Sequence, residues 1–265
     1  MRKLHKRAAN ITAAEMPRCA ACQFGKQTNR VVPGTIRKAI EARKGIMSAD
    51  KLLPGERVFV DHFNCAARGR KFTGDGRYNY DAKPKRQMDI ENSYCGGVVF
   101  VDAATGHIAV EFQTALNQEE TLKAIQKYED KAKDYGVIVK EYQFDNGGAF
   151  TSHKLRETLR SKSQNWRHSA PGSHHQNGWA ERAIRTVMAM ARTMMIHQAA
   201  HWQQKLNTAT ETLRWPMGVQ LATHIYNHVP KIENGLTTHE LWTRTKEPIG
   251  KLNNLHVFGC PVYVL

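Results

Sequence analysis

The sequence predicts an α/β fold, a mixed five-stranded sheet flanked by helices. Two observations predict it. Short apolar runs of strand character are interleaved with longer stretches of helical period, in the order β-β-β-α-β-α-β-α-α. Two of those runs also end in an aspartate, at Arg57-Val-Phe-Val-Asp61 and Tyr142-Gln-Phe-Asp145, so two strands can deliver carboxylates to one edge of a sheet.

At the amino end, residues 1–30 contain Cys19-Ala-Ala-Cys22, a zinc-knuckle spacing to which His5 adds a third candidate ligand. Residues 31–55 read as a basic linker bracketed by Pro33-Gly34 and Pro54-Gly55. A strand over 57–64 carries Asp61. The polar, glycine-rich stretch 66–93 reads as an extended turn. Runs at 96–103 and 107–113, split by Ala104-Thr105-Gly106, predict a hairpin. Asp102 ends its run as Asp61 does, but its place at the hairpin turn predicts a carboxylate that accepts turn N–H groups.

A helix is expected over 117–135, with Asn117 as cap, Glu119 and Glu120 in the first turn, and Leu122, Ile125 and Tyr128 on one face. Next come a strand over 137–145, a short helix over 153–162 and a short strand over 165–169. The stretch 170–178 is too rich in turn residues to be regular, and it lies between two candidate catalytic acids, where substrate-positioning loops sit. A long helix runs from Trp179 to about Ala200, with Ile184, Val187, Met188, Ala191, Met194 and Met195 as its apolar stripe. Those methionines are core packing. A further helix over 213–227 closes a core domain of residues 56–230. His224 and His228 lie one turn apart, but without a third ligand nearby they read as surface or packed histidines. Residues 231–265 read as an irregular C-terminal extension that leads toward the rest of a longer polyprotein.

Composition narrows the function. The 265 residues carry a net charge of +15, which calls for a polyanionic partner. Residues 1–53 alone hold twelve Lys/Arg against three acids, a net of +9, and such a region binds phosphates through counterion release. No run approaches the ~20 apolar residues of a membrane span, and no apolar stretch backs the charges of the first seven residues, so neither a membrane partner nor a secretory leader is expected. Five cysteines without a paired pattern suit a reduced setting better than a disulfide framework.

A third acid completes a constellation. Glu181 sits in the first turn of the long helix, with 35 residues between it and Asp145. Three carboxylates converging at a sheet edge would repel one another unless divalent cations neutralised them. Hard, oxygen-seeking Mg²⁺ suits such a set and serves phosphoryl transfer.

Asp61, then Asp145-Asn-Gly-Gly, then Glu181 after 35 residues resembles the D,D(35)E triad of retroviral and retrotransposon integrases. The flanks match too: His174-His-Gln-Asn-Gly-Trp-Ala-Glu-Arg182 resembles the family's PQQNGxAER signature. Leu236-Thr-Thr-His-Glu-Leu-Trp242 and His256-Val-Phe-Gly-Cys-Pro-Val-Tyr-Val264 resemble the region downstream of the core in copia-type polyproteins. The resemblance implies a ribonuclease H-like fold and an integrase core that joins the 3′ ends of element DNA to target DNA. It implies that Asp61, Asp145 and Glu181 hold two Mg²⁺ ions, with Mn²⁺ as a substitute. Gln176 and Asn177 would position DNA, while Arg182, Arg185, Arg192 and Lys26 would contact phosphates. The resemblance also implies double-stranded DNA as the partner, a homo-oligomeric assembly, and action in the nucleus, with cytoplasmic particles as an earlier location. Cys19-x-x-Cys22-x-x-Gly25-Lys26 resembles the second half of the family's HHCC zinc module, of which only His5 stands upstream.

Two other readings stay open on the sequence. A ribonuclease H-like nuclease would use the same carboxylates with water as nucleophile. An inactive or co-opted nucleic-acid-binding fragment is the other, since Ala149 stands where the family commonly has glutamate and the amino-terminal module is incomplete.

Overall fold

The computed structural model describes residues 20–25, 52–71, 93–169, 177–201, 212–230, 235–248, 252–253 and 255–260. A five-stranded sheet of order β3-β2-β1-β4-β5 organises them. Its strands are β1 (Val58–Arg70), β2 (Ser93–Asp102), β3 (Ile108–Gln113), β4 (Glu141–Phe144) and β5 (Asn165–His168). The first three pair antiparallel, whereas β4 runs parallel to β1 and β5 parallel to β4. This mixed sheet, with helices on both faces, has the ribonuclease H-like arrangement.

Alternation along β1 and β2 sorts the core into two layers. Val58, Val60, Val98 and Phe100 face α2 (Gln118–Asp134) and α3 (His153–Ser161), where they pack with Ile125, Tyr128, Leu155 and Leu159. Phe59, Phe63, Val99 and Val101 face α4 (Gly178–His201) and α5 (Trp215–His228), against Ala183, Val187, Ala191 and Val219. A one-residue slip of β1 would exchange the two sets, and each of these side chains contributes about 1.5–3 kcal/mol by burial, so the register is strongly specified. Asp61, in phase with Phe59 and Phe63, therefore belongs to the face that α4 covers.

The helix over 118–134 forms as its cap predicts: Asn117 Oδ1 accepts from the Glu120 N–H at 2.9 Å. Asp102 likewise takes its expected turn role. Its Oδ2 accepts from Thr105 N and Oγ1 at 2.9 and 2.8 Å, and its Oδ1 from Gly55 N at 2.7 Å.

Several boundaries differ from the expectation. The strand predicted over 137–145 shrinks to β4, because Lys140 N donates to Gly55 O and ties the preceding residues to the 52–56 turn. The turn predicted from 66 onward is, up to Arg70, a continuation of β1 past a bulge between Asn64 and Gly69. Trp215 explains the continuation: its Nε1 donates to Ala67 O at 2.9 Å, and Gly69 packs so closely on the indole that a Cβ would lie 2.6 Å from Trp215 Cε2. Residues 72–92 lie outside the described residues.

Two short helices were not expected. In α1 (Ala20–Gly25), Gly25 packs directly on Thr193 of α4, and Cys22 is half-buried. The other candidate zinc ligands, His5 and Cys19, lie outside the described residues, as do Lys26 and Gln176. The region after Pro230, expected to be irregular, contains α6 (Thr238–Thr243), closed by a capping box between Thr237 and Glu240. Trp242 of α6 is 2% exposed and joins the α2-side core.

Candidate active site

The parallel register between β1 and β4 aligns Val58 with Tyr142, Phe59 with Gln143 and Val60 with Phe144. One residue further along each strand stand Asp61 and Asp145, side by side at the carboxyl end of the parallel pair. In open α/β sheets, ligand sites form at such strand ends.

The turn after β4 fixes Asp145. Its Oδ1 accepts from Gly147 N at 3.0 Å, its backbone oxygen meets His168 Nδ1 at 3.2 Å, and Asn146 Nδ2 donates to Ser169 O at 2.6 Å. Phe150 N then donates to Gly147 O at 2.9 Å and closes the turn.

Glu181 arrives on the first turn of α4, whose start is anchored to β1. Asn177 Nδ2 donates to Val60 O at 3.0 Å, and Trp179 stacks on Phe59 with ring centroids 5.9 Å apart. Ala180 is fully buried beneath the helix start. The anchor lies directly before Asp61, so the helix turn bearing Glu181 and the strand bearing Asp61 are held as a unit.

The electrostatics agree with the convergence. Burial pushes the Asp61 carboxyl up to about 7, and the negative charges of Asp145 and Glu181 push the same way against the His62 backbone N–H. His62, on the opposite face of β1, stacks on Phe150 with centroids 4.2 Å apart and meets Thr121 Oγ1 at 3.1 Å. Burial lowers its imidazole to about 4, outweighing the pull of Asp145, so the ring is neutral at pH 7. Three carboxylates, oxygen donors throughout and one driven towards neutrality by burial and its neighbours, fit a hard divalent cation. Their oxygens do not all close to within 4.8 Å of one another. That spacing is looser than the shell of a single ion.

Asn177 was expected to position DNA. The structure places it 2% exposed, with its amide nitrogen donating to Val60 O where the start of α4 meets β1. It is part of the protein's framework rather than of a DNA-facing surface. Arg182 is exposed, with its guanidinium 5.7 Å from the Trp179 ring. Arg185 and Arg192 are exposed on α4 and make no ion pair among the described residues. The site also contains residues that the sequence reading passed over: His62, Phe150 and His168. The alternation of β1 could have placed His62 beneath the site, opposite Asp61.

No family model matches the chain. It is 26% identical over 182 residues, 66% of its length, to the retrovirus-related Pol polyprotein from transposon TNT 1-94 of Nicotiana tabacum, and it spans 12% of that polyprotein. Among solved structures, a chain of the simian T-cell lymphotropic virus intasome in complex with PP2A regulatory subunit B56 gamma is 15% identical. There the match covers 75% of this chain and 58% of the other at a TM-score of 0.49. The HTLV-2 integrase catalytic core domain in complex with magnesium, in its dimeric form, is 17% identical, with 72% and 98% covered and a TM-score of 0.44. The BIV integrase catalytic core is 15% identical, with 72% and 95% covered and a TM-score of 0.45. These structural likenesses are loose, and the fold assignment rests on the strand order and register of the sheet. The chain is thus similar in sequence to a retrotransposon Pol polyprotein, and its sheet has the strand order of the ribonuclease H-like fold.

Proposed function

We propose that the chain catalyses phosphoryl transfer that joins the 3′ ends of element DNA to target DNA. The observation that supports this most is the meeting of Asp61, Asp145 and Glu181 from two strands and a helix, with Asp61 feeling the charge of both others. In this reading Asp61, Asp145 and Glu181 would together hold two divalent ions. The ions, Mg²⁺ with Mn²⁺ as a substitute, supply activation of the attacking 3′-hydroxyl and stabilisation of the leaving oxygen.

The chain's own residues position and neutralise. Asn177 and the Phe59–Trp179 stack keep the helix start and β1 in one geometry, which preserves the alignment on which in-line displacement depends. Arg182, Arg185 and Arg192 offer cations along α4 to the DNA backbone, and such contacts set register without reading sequence. The basic residues before the core, Lys26 among them, add affinity. Double-stranded DNA is the partner and the nucleus the place of action. A homo-oligomer suits the task, because two element ends joined to one target require two such sites. No described helix is long and apolar enough to cross a membrane.

The test is strand joining with Mg²⁺ on labelled DNA ends, resolved on a gel that separates joined products from nicked ones. Asp61→Asn, Asp145→Asn and Glu181→Gln should each abolish joining, whereas Asp102→Asn should retain it per folded molecule. Joining that survives one of the first three changes removes that residue from the site, and nicked products alone would favour a water-using nuclease.

A further inference from the structure

A second group of metal-ligating side chains lies away from the three acids. His228 ends α5, His239 lies in α6 and Glu247 comes after that helix, with 10 and 7 residues between successive members. Their ligand atoms all lie within 4.8 Å of one another, and no other group of three His, Cys, Asp or Glu among the described residues does this. His228 Nε2 is 3.4 Å from Glu247 Oε2, and His239 Nε2 is 3.6 Å from Glu247 Oε1. Two ligands each about 2.0–2.2 Å from a tetrahedral zinc ion stand about 3.3–3.6 Å apart. The two imidazoles thus approach the two oxygens of one carboxylate at nearly that separation, and the whole set lies within 4.8 Å, close enough to contract onto one ion.

The surroundings set the proton positions. His228 Nδ1 lies 2.8 Å from the carbonyl oxygen of His224. A carbonyl only accepts, so Nδ1 carries a hydrogen, and Nε2 is the ring nitrogen that can offer a lone pair to an ion in the cluster. That Nε2 is buried and makes no hydrogen bond. A backbone carbonyl behind a histidine is the arrangement that fixes the tautomer of metal-bound imidazoles. Glu247 is held by its own backbone: its N–H donates to Glu240 Oε1 at 3.0 Å, while Glu240 Oε2 accepts from Thr237 N at 2.8 Å. Glu240 is thereby committed to the capping box, and Glu247 is the carboxylate left facing the imidazoles. The side chains of His228, His239 and Glu247 are 8%, 14% and 14% exposed, so the cluster is largely withdrawn from water. A cavity of about 490 Å³ lined by His107, Glu111, His228 and His239 gives an ion a route in.

We infer that His228, His239 and Glu247 form a zinc site that clamps α6 and the chain after it onto the end of α5. Two imidazole nitrogens and a carboxylate favour zinc over magnesium, which prefers oxygen throughout. Three protein ligands leave a fourth position for water. His224, the residue that pairs with His228 in the sequence, instead supplies the carbonyl that orients the His228 ring.

The experiment uses the whole chain carrying Cys19→Ser and Cys22→Ser, which removes both thiolates of the amino-terminal candidate site. After chelation and buffer exchange it is titrated with Zn²⁺, and with Co²⁺ as a spectroscopic probe. One equivalent of Zn²⁺ should bind, the Co²⁺ spectrum should lack thiolate charge-transfer bands, and the thermal midpoint should rise with Zn²⁺ but not with equal Mg²⁺. Loss of a partner behind a ligand weakens metal binding 10–100-fold, so loss of a ligand itself should cost at least about 100-fold. Glu247→Gln, nearly isosteric, and His239→Gln should each show that loss and abolish the Zn²⁺-dependent rise in midpoint. Glu247→Gln keeps the test decisive if His239→Gln fails to fold. Failure of the cysteine-free chain to bind one equivalent, or unchanged binding in Glu247→Gln, would overturn the site and leave only an imidazole–carboxylate ion pair. Neither result bears on DNA joining, which is assayed separately.

Discussion

Asn177 donates its side-chain amide to the carbonyl of Val60 at 3.0 Å, and so ties the residue before the helix of Glu181 to the residue before Asp61. The bond spans 117 positions of sequence and is buried. Its removal should do two separable things. Asn177→Ala removes this buried donor together with an Oδ1 that has no hydrogen-bond partner, so it should cost no more than about 1–3 kcal/mol of stability. It should also lower the joining rate more than it lowers DNA affinity, since the bond aligns the acids and does not touch the nucleic acid. Thermal unfolding, fluorescence anisotropy with labelled DNA and single-turnover joining measure the three quantities. Equal losses of affinity and rate would return Asn177 to the DNA-contacting surface.

The raised carboxyl of Asp61 predicts a pH-dependent stability in metal-free protein. Its folded value of about 7 stands above the unfolded value near 3.8. The neutral form is therefore the one the fold prefers. Below pH 3.8 both states are protonated and Asp61 does no harm; as pH rises toward 7, ionisation becomes easier in the unfolded chain and stability is lost. The displacement corresponds to at most about 4 kcal/mol, and less for a carboxyl that still touches solvent. Asp61→Asn should thus match wild type near pH 4 and exceed it increasingly up to about pH 7.5, where the difference levels off. Unfolding midpoints in EDTA across that range provide the check. A constant difference would mean that Asp61 does not titrate in this window.

DNA affinity should draw heavily on the basic stretch before the core. Replacing Lys26, Arg30, Arg37, Lys38, Arg43 and Lys44 by glutamine removes six positive charges and spares α1, whose Gly25 packs on Thr193. If all six neutralise phosphates, the slope of log affinity against log salt should become shallower by about 5. An unchanged slope would move the binding surface onto the core, where α4 carries Arg182, Arg185 and Arg192.

The acids were legible in the sequence because each sits at the end of a local pattern. Asp61 and Asp145 close apolar runs, and Glu181 opens an amphipathic helix, so periodicity alone aims all three at one edge. Asp102 shows the same logic in reverse: the Ala104-Thr105-Gly106 turn beside it announced its N–H partners. The features that stayed hidden depend on partners distant in sequence. The continuation of β1 to Arg70 relies on Trp215, and the framework role of Asn177 relies on Val60. The histidine cluster was passed over because its ligands come from three pieces of chain. A signal did exist, since Thr237-Thr-His-Glu240 is a capping-box sequence that starts the helix carrying His239.

Asp102 is the opposite case to Asp61. Both lie toward strand ends, and burial raises both carboxyls, yet Asp102 is compensated by three donors. Thr105 N and Oγ1 donate to one of its oxygens and Gly55 N to the other, while the residue is completely buried. In Asp102→Asn one oxygen becomes an NH₂ group, which must face either the Thr105 pair or the Gly55 N–H. Donor would then confront donor with no water to intervene. A buried group left unsatisfied costs about 1–3 kcal/mol, and more when a charged acceptor is lost. The Gly55 bond also secures the turn whose carbonyl holds Lys140 N ahead of β4, so its loss adds to the cost in stability. Asp102→Asn should therefore lower the unfolding midpoint at pH 7.5, where Asp61→Asn raises it, yet retain joining per folded molecule, which Asp61→Asn abolishes. The two variants measured side by side should thus separate on both axes. A stability gain in Asp102→Asn would mean that the Gly55 and Thr105 bonds do not offset the burial of its charge.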